Sequence, residues 1–542
     1  MAGADPITEL RAAVGDAAAA LRDGEPPGPE PALERPPKPE LGDYSSNAAM
    51  LLAAPLGEKP RDVAERLRGE LIRELGGSVE RIEVAGPGFV NLFLSDFWYR
   101  RAIAGLLSAE GLGVGPVARP ERVLVEFVSA NPTGPLTAAG GRHAAFGDAV
   151  ARLLEEVGHE VEREFYVNDA GGQVERFAAS IAAAMTGGEP PEDGYEGAYV
   201  AELGGRLAAE GVDPTDAEAV GRRGVELMVE SVRATLERFG VRFDTWFSER
   251  GLYERGEVEA ALDRLRESGH AYEEEGALWL RSSELGDDKD RVLVRDSGEP
   301  TYLAADAAYH LDKLERGFDR LVDVLGADHH GYVPRMRAAL EALGADPGRL
   351  EAPIMQLVHV VEGGERAQMS KRHGEFVSLD ELIDDIGADA TRFFMFQRSH
   401  EMKVNLDLDL ARRESSDNPV YYVQYAHARI ASILRKAGEG AEGAAGVAEL
   451  GALLEPAEKA LVKRLLEFPA EVHEAAQRRA PHRLYTYAMS VAADFHAFYR
   501  DCKVVGAEGE GVQEARLALC LLTQRTIART LGLLGISAPE RM

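Results

Sequence analysis

Residues 122–147 read RVLVEFVSANPTGPLTAAGGRHAAFG, and they set the architecture of the largest part of the chain. Val123 to Val128 form a nearly continuous apolar run rich in β-branched residues, which predicts a strand buried on both faces of a parallel sheet. After a glycine-bearing turn we expect a helix from Gly147 to Val157, a strand from Val161 to Val167 and a helix from Gln173 onward. This βαβ order predicts an α/β fold with a doubly wound parallel sheet.

A polar interruption follows the βαβ unit. It opens with TGGEPPEDG at residues 186–194 and continues in a helical pattern to about Glu275, which predicts an insertion. The β/α pattern then resumes with short apolar stretches at residues 277–280, 292–294 and 321–325. We therefore expect an α/β domain over residues 118–405, with a helical insertion at about 186–275.

The N-terminal part predicts a smaller α+β module over residues 1–112. Seven prolines between Pro26 and Pro39 exclude a helix or central strand there and predict a loop. Around this loop, the apolar periodicity predicts helices and a strand pair, which turns at Gly86-Pro87-Gly88. The helices are expected at residues 7–21, 47–54 and 61–75, and the strand pair at residues 78–94.

The C-terminal part has a different pattern. After Asp389 the apolar periodicity is helical to the end of the sequence, broken by Gly-rich loops at residues 437–446 and 506–511. This pattern predicts an all-α domain over residues 406–542.

Length, composition and charge bound the possible functions. A chain of 542 residues is expected to hold about three or four domains. Its 45% apolar and 28% charged residues are typical of globular proteins. A formal charge of −31 opposes binding to a phosphate-rich partner at long range. Residues 451–542 hold 12 Lys and Arg against 11 Asp and Glu, so a nucleic-acid partner would require local basic faces on an acidic body.

Cysteine use and hydropathy bear on the compartment. Only Cys502 and Cys520 occur, without disulfide framework or metal-ligand spacing, so we expect a reducing, cytoplasmic environment and no protein metal site. Met1 to Leu10 has no basic stretch followed by an apolar run, and nowhere do 18 apolar residues follow one another. We therefore expect no membrane partner.

The turn after the first buried strand is the first candidate site. It runs from Ser129 to Arg142 and carries glycines where a strand gives way to a helix. Backbone N–H groups at such a turn, together with the helix dipole, attract a polyphosphate. A tight strand-to-helix connection without a ligand would also explain the glycines, so both interpretations stay open on the residues alone.

The second candidate site is the loop QMSKRHG at residues 368–374, which precedes the helical domain. A hydroxyl and two cations beside a glycine can neutralise charge on a phosphoryl group. Basic surface loops are commonly just solvated, however, so this loop does not establish a site by itself.

In this order, the two segments resemble the two signatures of class I aminoacyl-tRNA synthetases, and longer segments resemble one family of that class. The segments that resemble arginyl-tRNA synthetases are GDYSSNAAMLLA, VAGPGFVNLFL, VEFVSANPTGPL, YVNDAGGQ, YLAADAAYH, VLGADHHGYVPRM, MSKRHGEFVSLDELIDDIGADATRFF, NPVYYVQYAHARI and LLGISAPERM. They extend over essentially the whole chain. The resemblance implies a Rossmann-like catalytic domain, an N-terminal module that contacts the tRNA elbow and a C-terminal helical bundle that binds the anticodon.

The resemblance also implies the reaction and its partners. Arginine and ATP give arginyl-adenylate and pyrophosphate, and the terminal ribose of tRNA(Arg) then accepts the arginyl group. Magnesium accompanies the ATP, and the family generally needs bound tRNA for the first step. The family suggests a monomer, and neither DNA nor a membrane is among the implied partners.

Four residues match the positions at which the family holds arginine. Glu126 and Asn131 match contacts to the amino acid, and Tyr302 with Asp306 match contacts to its guanidinium. A four-residue step places the last two on one helical face, and a carboxylate suits a planar guanidinium. The alternative is that Asp306 only caps a helix or forms a structural salt bridge.

The remaining site residues follow from the same match. His329 is implied at the arginine pocket, and two adjacent histidines do not suit a metal site without further ligands. Ser370 and Lys371 take the catalytic positions of the second signature. The implied ATP contacts are Pro132, Gly134, Leu136, Ala139, Gly141, His330 and Met369. The implied tRNA contacts are Phe89, Asn91, Tyr421, Tyr422 and Met542, although the aromatic residues among them would also suit core packing.

The first signature departs from the class pattern. Class I enzymes usually carry two histidines that donate to the ATP phosphates, and this chain has Thr137 and Gly140 at those catalytic positions. Lost donors of this kind typically cost ~2.7–4 kcal/mol each. Three interpretations stay open. Thr137, backbone N–H groups and nearby His143 do the same work, or the chain is a slow synthetase, or it binds tRNA or arginine without charging. The second signature has lost only its leading lysine, at Gln368.

Overall fold

The computed structural model describes residues 6–22, 31–366, 377–438, 447 and 450–542. The strands in these ranges are β1 Leu33–Glu34, β2 Tyr44–Ser46, β3 Val79–Ala85, β4 Phe89–Leu94, β5 Arg122–Glu126, β6 Glu160–Val167, β7 Thr245–Ser248, β8 Ala271–Glu274, β9 Ala277–Leu280, β10 Arg291–Val294, β11 Arg320–Asp323, β12 Leu325–Gly326, β13 Leu350–Glu351, β14 Ile354–Met355, β15 Val358–Glu362, β16 Glu365–Arg366 and β17 Val404–Asp407.

The helices in the same ranges are α1 Pro6–Ala20, α2 Ala48–Leu56, α3 Pro60–Leu75, α4 Asp96–Ser108, α5 Ala138–Glu156, α6 Gly172–Thr186, α7 Ala198–Glu210, α8 Ala217–Arg238, α9 Glu249–Glu254, α10 Glu257–Glu267, α11 Tyr302–Glu315, α12 Tyr332–Ala342, α13 Leu379–Met395, α14 Leu408–Ala411, α15 Pro419–Ala437, α16 Pro456–Leu465, α17 Phe468–Gln477, α18 His482–Asp501 and α19 Val512–Leu533. None of these helices is both long enough and apolar enough to cross a lipid bilayer.

The central element is a five-stranded parallel sheet in the order β13-β11-β5-β6-β7, which confirms the predicted α/β fold. The apolar run predicted as a strand is β5, the middle strand. Val123 and Val125 pack into one apolar cluster and Leu124 into another, because helices cover both faces of the sheet. The chain proceeds to β6 and β7 on one side of β5 and to β11 and β13 on the other. Ligands of open α/β sheets bind where the order reverses, at the carboxyl ends of the strands.

The helix after β5 begins earlier than expected. It starts at Ala138, not at Gly147, so Gly140 and Gly141, which were expected in the turn, lie inside the helix. Gly147 packs directly on the strand, since a Cβ there would lie 2.1 Å from the Phe127 ring. Glycine is used here for close approach of helix and sheet, which offsets its low helix propensity.

The predicted insertion is shorter than expected. Helices α7 and α8 occupy its first part, but β7 pairs in parallel with β6 as the edge strand of the central sheet. Trp246 stacks on Phe165 of β6 at a ring separation of 4.5 Å. The chain therefore returns to the sheet at Thr245 and not near Glu275, because a four-residue strand is too short to show a periodic pattern between helices.

The strands expected after the insertion divide between two sheets. Residues 277–280 and 292–294 form an antiparallel sheet with β8, in the order β10-β9-β8. Only the stretch that begins at Leu321 joins the parallel sheet, as β11.

The N-terminal part is an α+β unit, as predicted. Helices α1 to α4 pack with an antiparallel sheet in the order β1-β2-β4-β3, and the expected strand pair is β3 and β4. The described part of the proline-rich segment forms only the two-residue edge strand β1, which is compatible with missing N–H donors.

The C-terminal part is the predicted helical bundle, α15 to α19. The helical pattern after Asp389 misses one strand, since β17 pairs in parallel with β15. The expected loop at 506–511 separates α18 from α19, and most of the loop at 437–446 lies outside the described residues. The last residues lie along α15, where Gln424 Nε2 donates to the Ser537 carbonyl at 3.0 Å.

Candidate functional site

The chain leaves β5 through a strained turn at the reversal point of the sheet. Val128 and Ser129 have φ angles of +69° and +39°, a region that costs non-glycine residues roughly 1–3 kcal/mol each. The Ser129 hydroxyl donates to Glu126 Oε1 at 2.8 Å and accepts from the Tyr166 N–H at 3.2 Å. The turn is thereby fixed with Glu126 at the carboxyl end of β5.

The first signature forms the N-terminus of α5. Thr137 caps the helix, with its hydroxyl oxygen accepting from the Gly140 N–H at 3.3 Å. A Cβ on Gly141 would lie 2.7 Å from Leu379, so this glycine is required by packing. At Gly140 an added Cβ would lie 3.4 Å from Leu136 and 4.0 Å from the Thr137 hydroxyl, which are ordinary contact distances. The position that usually carries a histidine therefore has room for a side chain.

The other predicted residues of this turn have different environments. Pro132 and Leu136 are buried and shape the turn, whereas Ala139 is exposed. Gly134 lies against Tyr199, whose hydroxyl donates to the Thr133 carbonyl at 3.0 Å.

Asn131 is exposed at the start of the same turn. Its Oδ1 accepts from Asn168 Nδ2 at 3.0 Å.

The second signature lies outside the described residues, including Gln368, Met369, Ser370 and Lys371. Its downstream flank, however, lies against the first signature. The Ala138 N–H donates to the Val377 carbonyl at 3.0 Å, and the Leu379 N–H donates to the Leu136 carbonyl at 2.8 Å. The chain that follows the second signature thus pairs with the turn formed by the first.

A buried ion network connects the ends of β5 and β11. Lys313 is fully buried and donates to Glu126 Oε2 at 2.6 Å and to Asp323 Oδ1 at 2.9 Å. His310 Nε2 contacts Asp323 Oδ2 at 2.7 Å. Burial alone would raise the pKa of Asp323, but Lys313 and His310 hold that pKa below its usual range. Glu126 is therefore held in place by a lysine on α11.

Asp306 lies one turn before this network on α11, and its carboxylate accepts a hydrogen bond from the Tyr332 hydroxyl. The pKa of Asp306 is raised, mainly by burial. Tyr302 lies on the same helical face, as predicted, and is 67% exposed. A partly desolvated carboxylate beside an accessible aromatic ring is suited to a cation.

A second carboxylate, which was not predicted from the sequence, lies near Asp306. Glu249, at the start of α9, is only 5% exposed, and its Oε2 has no hydrogen-bond partner among the described residues. Burial, followed by the charges of Asp306 and Asp169, raises its pKa to about 7. An unpartnered buried carboxylate next to another acid calls for a positively charged ligand.

The segment YVNDAGGQ explains how Glu249 is positioned. Asp169 accepts from the Ser248 hydroxyl at 2.6 Å and from the Arg250 N–H at 2.9 Å, so it holds the residues on both sides of Glu249. This contact joins a segment quoted from the sequence to a residue about 80 positions later. Glu249 comes directly after β7, and this position at the carboxyl end of a strand of the central sheet could have identified it as a site residue. It was missed because β7 was expected to be part of the insertion.

His329 and His330 lie just after β12, and both are exposed. The His329 ring is 5.9 Å from the ring of Tyr332, and the Tyr332 hydroxyl contacts the Asp306 carboxylate. His143 lies close enough to this segment for the charges of Asp328 and His329 to act on its pKa.

The two N-terminal candidates for tRNA contact differ in accessibility. Phe89 is 41% exposed at the start of β4, available for stacking. Asn91 is 5% exposed, and its Oδ1 accepts from the Ser45 hydroxyl at 2.7 Å. In this structure Phe89, and not Asn91, presents a surface to a partner.

An aromatic cavity of about 440 Å³ lies on the helical bundle between α15 and α18. It is lined by Tyr421 and Tyr422, which were predicted, and by Tyr425 and His496, which were not. The rings of Tyr421 and Tyr425 lie 6.0 Å apart with planes 10° apart. The Arg429 guanidinium lies 4.8 Å from the Tyr425 ring centre.

This cavity combines parallel rings with a cation, which is typical of surfaces on which unpaired bases stack. Met542, also predicted, is 54% exposed at the end of the chain.

The described residues contain no cluster of three or more His, Cys, Asp or Glu side chains that could hold a metal ion. The cysteines Cys502 and Cys520 are both free and buried.

Comparison with known proteins identifies all three parts of the chain. Residues 8–94 match the arginyl tRNA synthetase N terminal domain, residues 213–431 the class I (R) tRNA synthetase catalytic domain, and residues 423–542 the DALR anticodon binding domain. The arginine–tRNA ligase of Carboxydothermus hydrogenoformans is 45% identical over 525 residues, covering 94% of each chain. That of Desulforudis audaxviator is 47% identical over 527 residues, covering 94% of this chain and 93% of the relative.

A solved structure agrees with these matches. The arginyl-tRNA synthetase of Thermus thermophilus superposes with a TM-score of 0.75 at 27% identity, covering 99% of this chain and 100% of that one. The relatives are 45–47% identical over 94% of this chain, and each of its three domains matches a family model. This chain therefore belongs to the arginyl-tRNA synthetase family.

Proposed function

We propose which residues carry out the arginine–tRNA ligase activity that membership of this family gives the chain. Arginine binds at the carboxyl ends of β5 and β11, with its guanidinium between Asp306 and Glu249. Its α-ammonium group binds near Glu126 and Asn131. ATP lies along the turn at residues 132–141. The observation that carries this proposal is the pair of desolvated acids, Asp306 and Glu249, which act on each other electrostatically and of which Glu249 has an unpartnered oxygen.

The charge balance of the pocket supports the guanidinium assignment. Lys313 supplies one positive charge that Glu126 and Asp323 share. Asp306 and Glu249, in contrast, have no cationic hydrogen-bond partner among the described residues. An arginine guanidinium offers five donors in a fork and keeps its charge at every accessible pH. It can therefore bind two carboxylates at once and satisfy Glu249 Oε2.

For the nucleotide, the N–H groups at the start of α5 and the helix dipole provide attraction to phosphates. Ser370, Lys371 and Met369 contribute from the second signature, as the family resemblance implies. We propose that Mg²⁺ enters bound to the phosphates of ATP, as the family resemblance implies. His330 and His329 lie at the border of the two substrates.

For tRNA(Arg), Phe89 contacts the elbow, and the aromatic cavity with Tyr421, Tyr422 and Tyr425 receives an anticodon base. Asn91 acts there through Ser45, whose hydroxyl donates a hydrogen bond to it. We further propose that the enzyme is a cytoplasmic monomer with no DNA or membrane partner, in keeping with two free cysteines and an acidic body.

Arginine-dependent exchange of pyrophosphate into ATP, measured with the full chain and tRNA(Arg), tests the proposal. We expect exchange that requires arginine, together with attachment of arginine to the tRNA. Retained tRNA binding without exchange would instead support the non-charging interpretation, which no comparison favours.

The pKa of Glu249 predicts how arginine use depends on pH. Guanidinium binding requires the ionised carboxylate, and a pKa of about 7 means that binding below pH 7 must expel a proton. Each pH unit below the pKa costs about 1.4 kcal/mol, so the KM for arginine should rise about tenfold from pH 8 to pH 6. The KM for ATP, measured alongside, should change much less.

Glu249→Gln provides the control for this prediction. The variant cannot ionise, so its arginine KM should be high and nearly independent of pH over the same range. A wild-type slope that persists in Glu249→Gln would assign the titration to another group.

The aromatic cavity leads to a prediction about tRNA. Tyr425→Ala should raise the KM for tRNA(Arg) by about tenfold, since a base stacked on an aromatic ring is worth roughly 1–3 kcal/mol. Tyr425→Phe keeps the ring and should stay close to wild type. Aminoacylation kinetics at varied tRNA concentration make the measurement, and equal KM values in all three proteins would remove the cavity from the tRNA interface.

A further inference from the structure

The surface of α5 that follows the nucleotide turn carries the imidazole of His143. Through the first half of the helix, residues 138–149, only Ala139, Gly140 and His143 are not buried. These three positions are spaced by one, three and four residues, so they form one stripe along the helix. Ala139 and Gly140 offer no polar side-chain group. His143 is therefore the only residue of the stripe that can donate a side-chain hydrogen bond.

The general tilt of helical side chains leads us to expect the His143 ring over Gly140. Side chains of a helix tilt toward its N-terminus and cover the turn that precedes their own Cα. His143 lies three residues beyond Gly140, about 4.5 Å along the axis, which an imidazole side chain can span. The space over Gly140 is free, since a Cβ there would meet only Leu136 at 3.4 Å and the Thr137 hydroxyl at 4.0 Å.

The surroundings of His143 belong to the same cleft. Asp328 and His329, in the segment that follows β12, act electrostatically on its ring. The ring has no hydrogen-bond partner among the described residues. Desolvation by the surrounding residues, followed by the charge of the adjacent Arg142 guanidinium, lowers the pKa of the half-buried His143 to about 4. At neutral pH the ring is therefore uncharged, with one N–H available to donate.

We propose that His143 donates a hydrogen bond to the ATP phosphates in the transition state, in place of the histidine that Gly140 lacks. This inference rests on the proposed function, which assigns ATP to this cleft. In the step concerned, a carboxylate oxygen of arginine forms a bond to the α-phosphorus of ATP. The bond from that phosphorus to the α,β-bridging oxygen breaks, and its electron pair leaves with pyrophosphate. His143 stabilises the developing charge and transfers no proton.

Pyrophosphate exchange with tRNA(Arg) present tests His143. His143→Ala should lower kcat roughly a hundredfold to a thousandfold, the usual effect of removing one such donor. The KM for arginine should change less than threefold. The matched control is His270→Ala, in the loop before β8, which should equal wild type.

Restoring a histidine at the class position separates catalysis from folding. Gly140→His in the His143→Ala background should recover at least tenfold in kcat, because a donor returns to the same space. Exchange by His143→Ala within threefold of wild type would overturn the proposal. So would a loss that Gly140→His does not repair and that accompanies a lower thermal midpoint of unfolding, since that result assigns His143 a structural role.

Wild-type protein that shows no arginine-dependent exchange would contradict the proposed function itself. That outcome differs from a failure of the His143 assignment, in which wild type is active and His143→Ala is equally active.

Discussion

Replacing Asp306 with asparagine should raise the KM for arginine by thirtyfold or more while leaving the KM for ATP nearly unchanged. Truncating one partner of a buried, charged hydrogen-bonded pair typically costs about 2–5 kcal/mol, and about 1.4 kcal/mol corresponds to tenfold. The amide keeps the shape of the side chain and can still accept from Tyr332, so the change removes mainly charge. Steady-state exchange kinetics at varied arginine and at varied ATP measure both constants.

The control for Asp306→Asn lies on the same helix. Glu315→Gln removes an exposed acid whose ion pair with Arg264 spans 3.4 Å, and exposed pairs contribute little. This variant should match wild type in both constants. If Asp306→Asn raised both KM values equally, Asp306 would be a structural residue and the arginine assignment would be wrong.

The second large effect is expected at Lys313. Lys313→Met should lower the free energy of unfolding by about 3–5 kcal/mol, because it leaves the buried carboxylates of Glu126 and Asp323 without their shared cation. Denaturant unfolding monitored by circular dichroism, with a check for two-state behaviour, gives the value. Because Glu126 would also lose its fixed position, we expect a higher arginine KM in any folded fraction.

Lys313→Arg distinguishes charge from shape. It keeps the cation but places a larger guanidinium in a fully buried site, so it should be less destabilising than Lys313→Met. Equal stability of wild type and Lys313→Met would show that the two carboxylates are relieved by other groups, and would contradict the role assigned to the lysine.

The parts of the fold that could be predicted have strong local patterns. The run from Val123 to Val128 identified β5 because a central strand is apolar on both faces. The placement of Tyr302 and Asp306 on one helical face could be predicted, because the two residues are four positions apart in a single helix. In each case the information lies within one element.

The parts that could not be predicted depend on contacts between distant segments. Glu249 joins the site because β7, the strand that precedes it, pairs with β6 at the edge of the central sheet. A four-residue strand has no distinct apolar pattern, so this pairing could not be predicted from the sequence. Gly147 was expected to begin the helix, but it lies inside α5 and packs closely against Phe127, a contact that composition does not reveal.

Asn91 illustrates a different limit. Its position matched a family contact, but the side chain is buried and hydrogen-bonded to Ser45. The alternation of residues along a strand does not show whether a polar side chain is hydrogen-bonded inside the protein or exposed to a partner.

A crystal structure of the full chain with a non-hydrolysable analogue of arginyl-adenylate tests the pocket most directly. We expect the guanidinium nitrogens to lie at about 2.7–3.2 Å from carboxylate oxygens of both Asp306 and Glu249, with the phosphate analogue at the N-terminus of α5. A guanidinium bound elsewhere, with Glu249 Oε2 still unpartnered, would contradict the account.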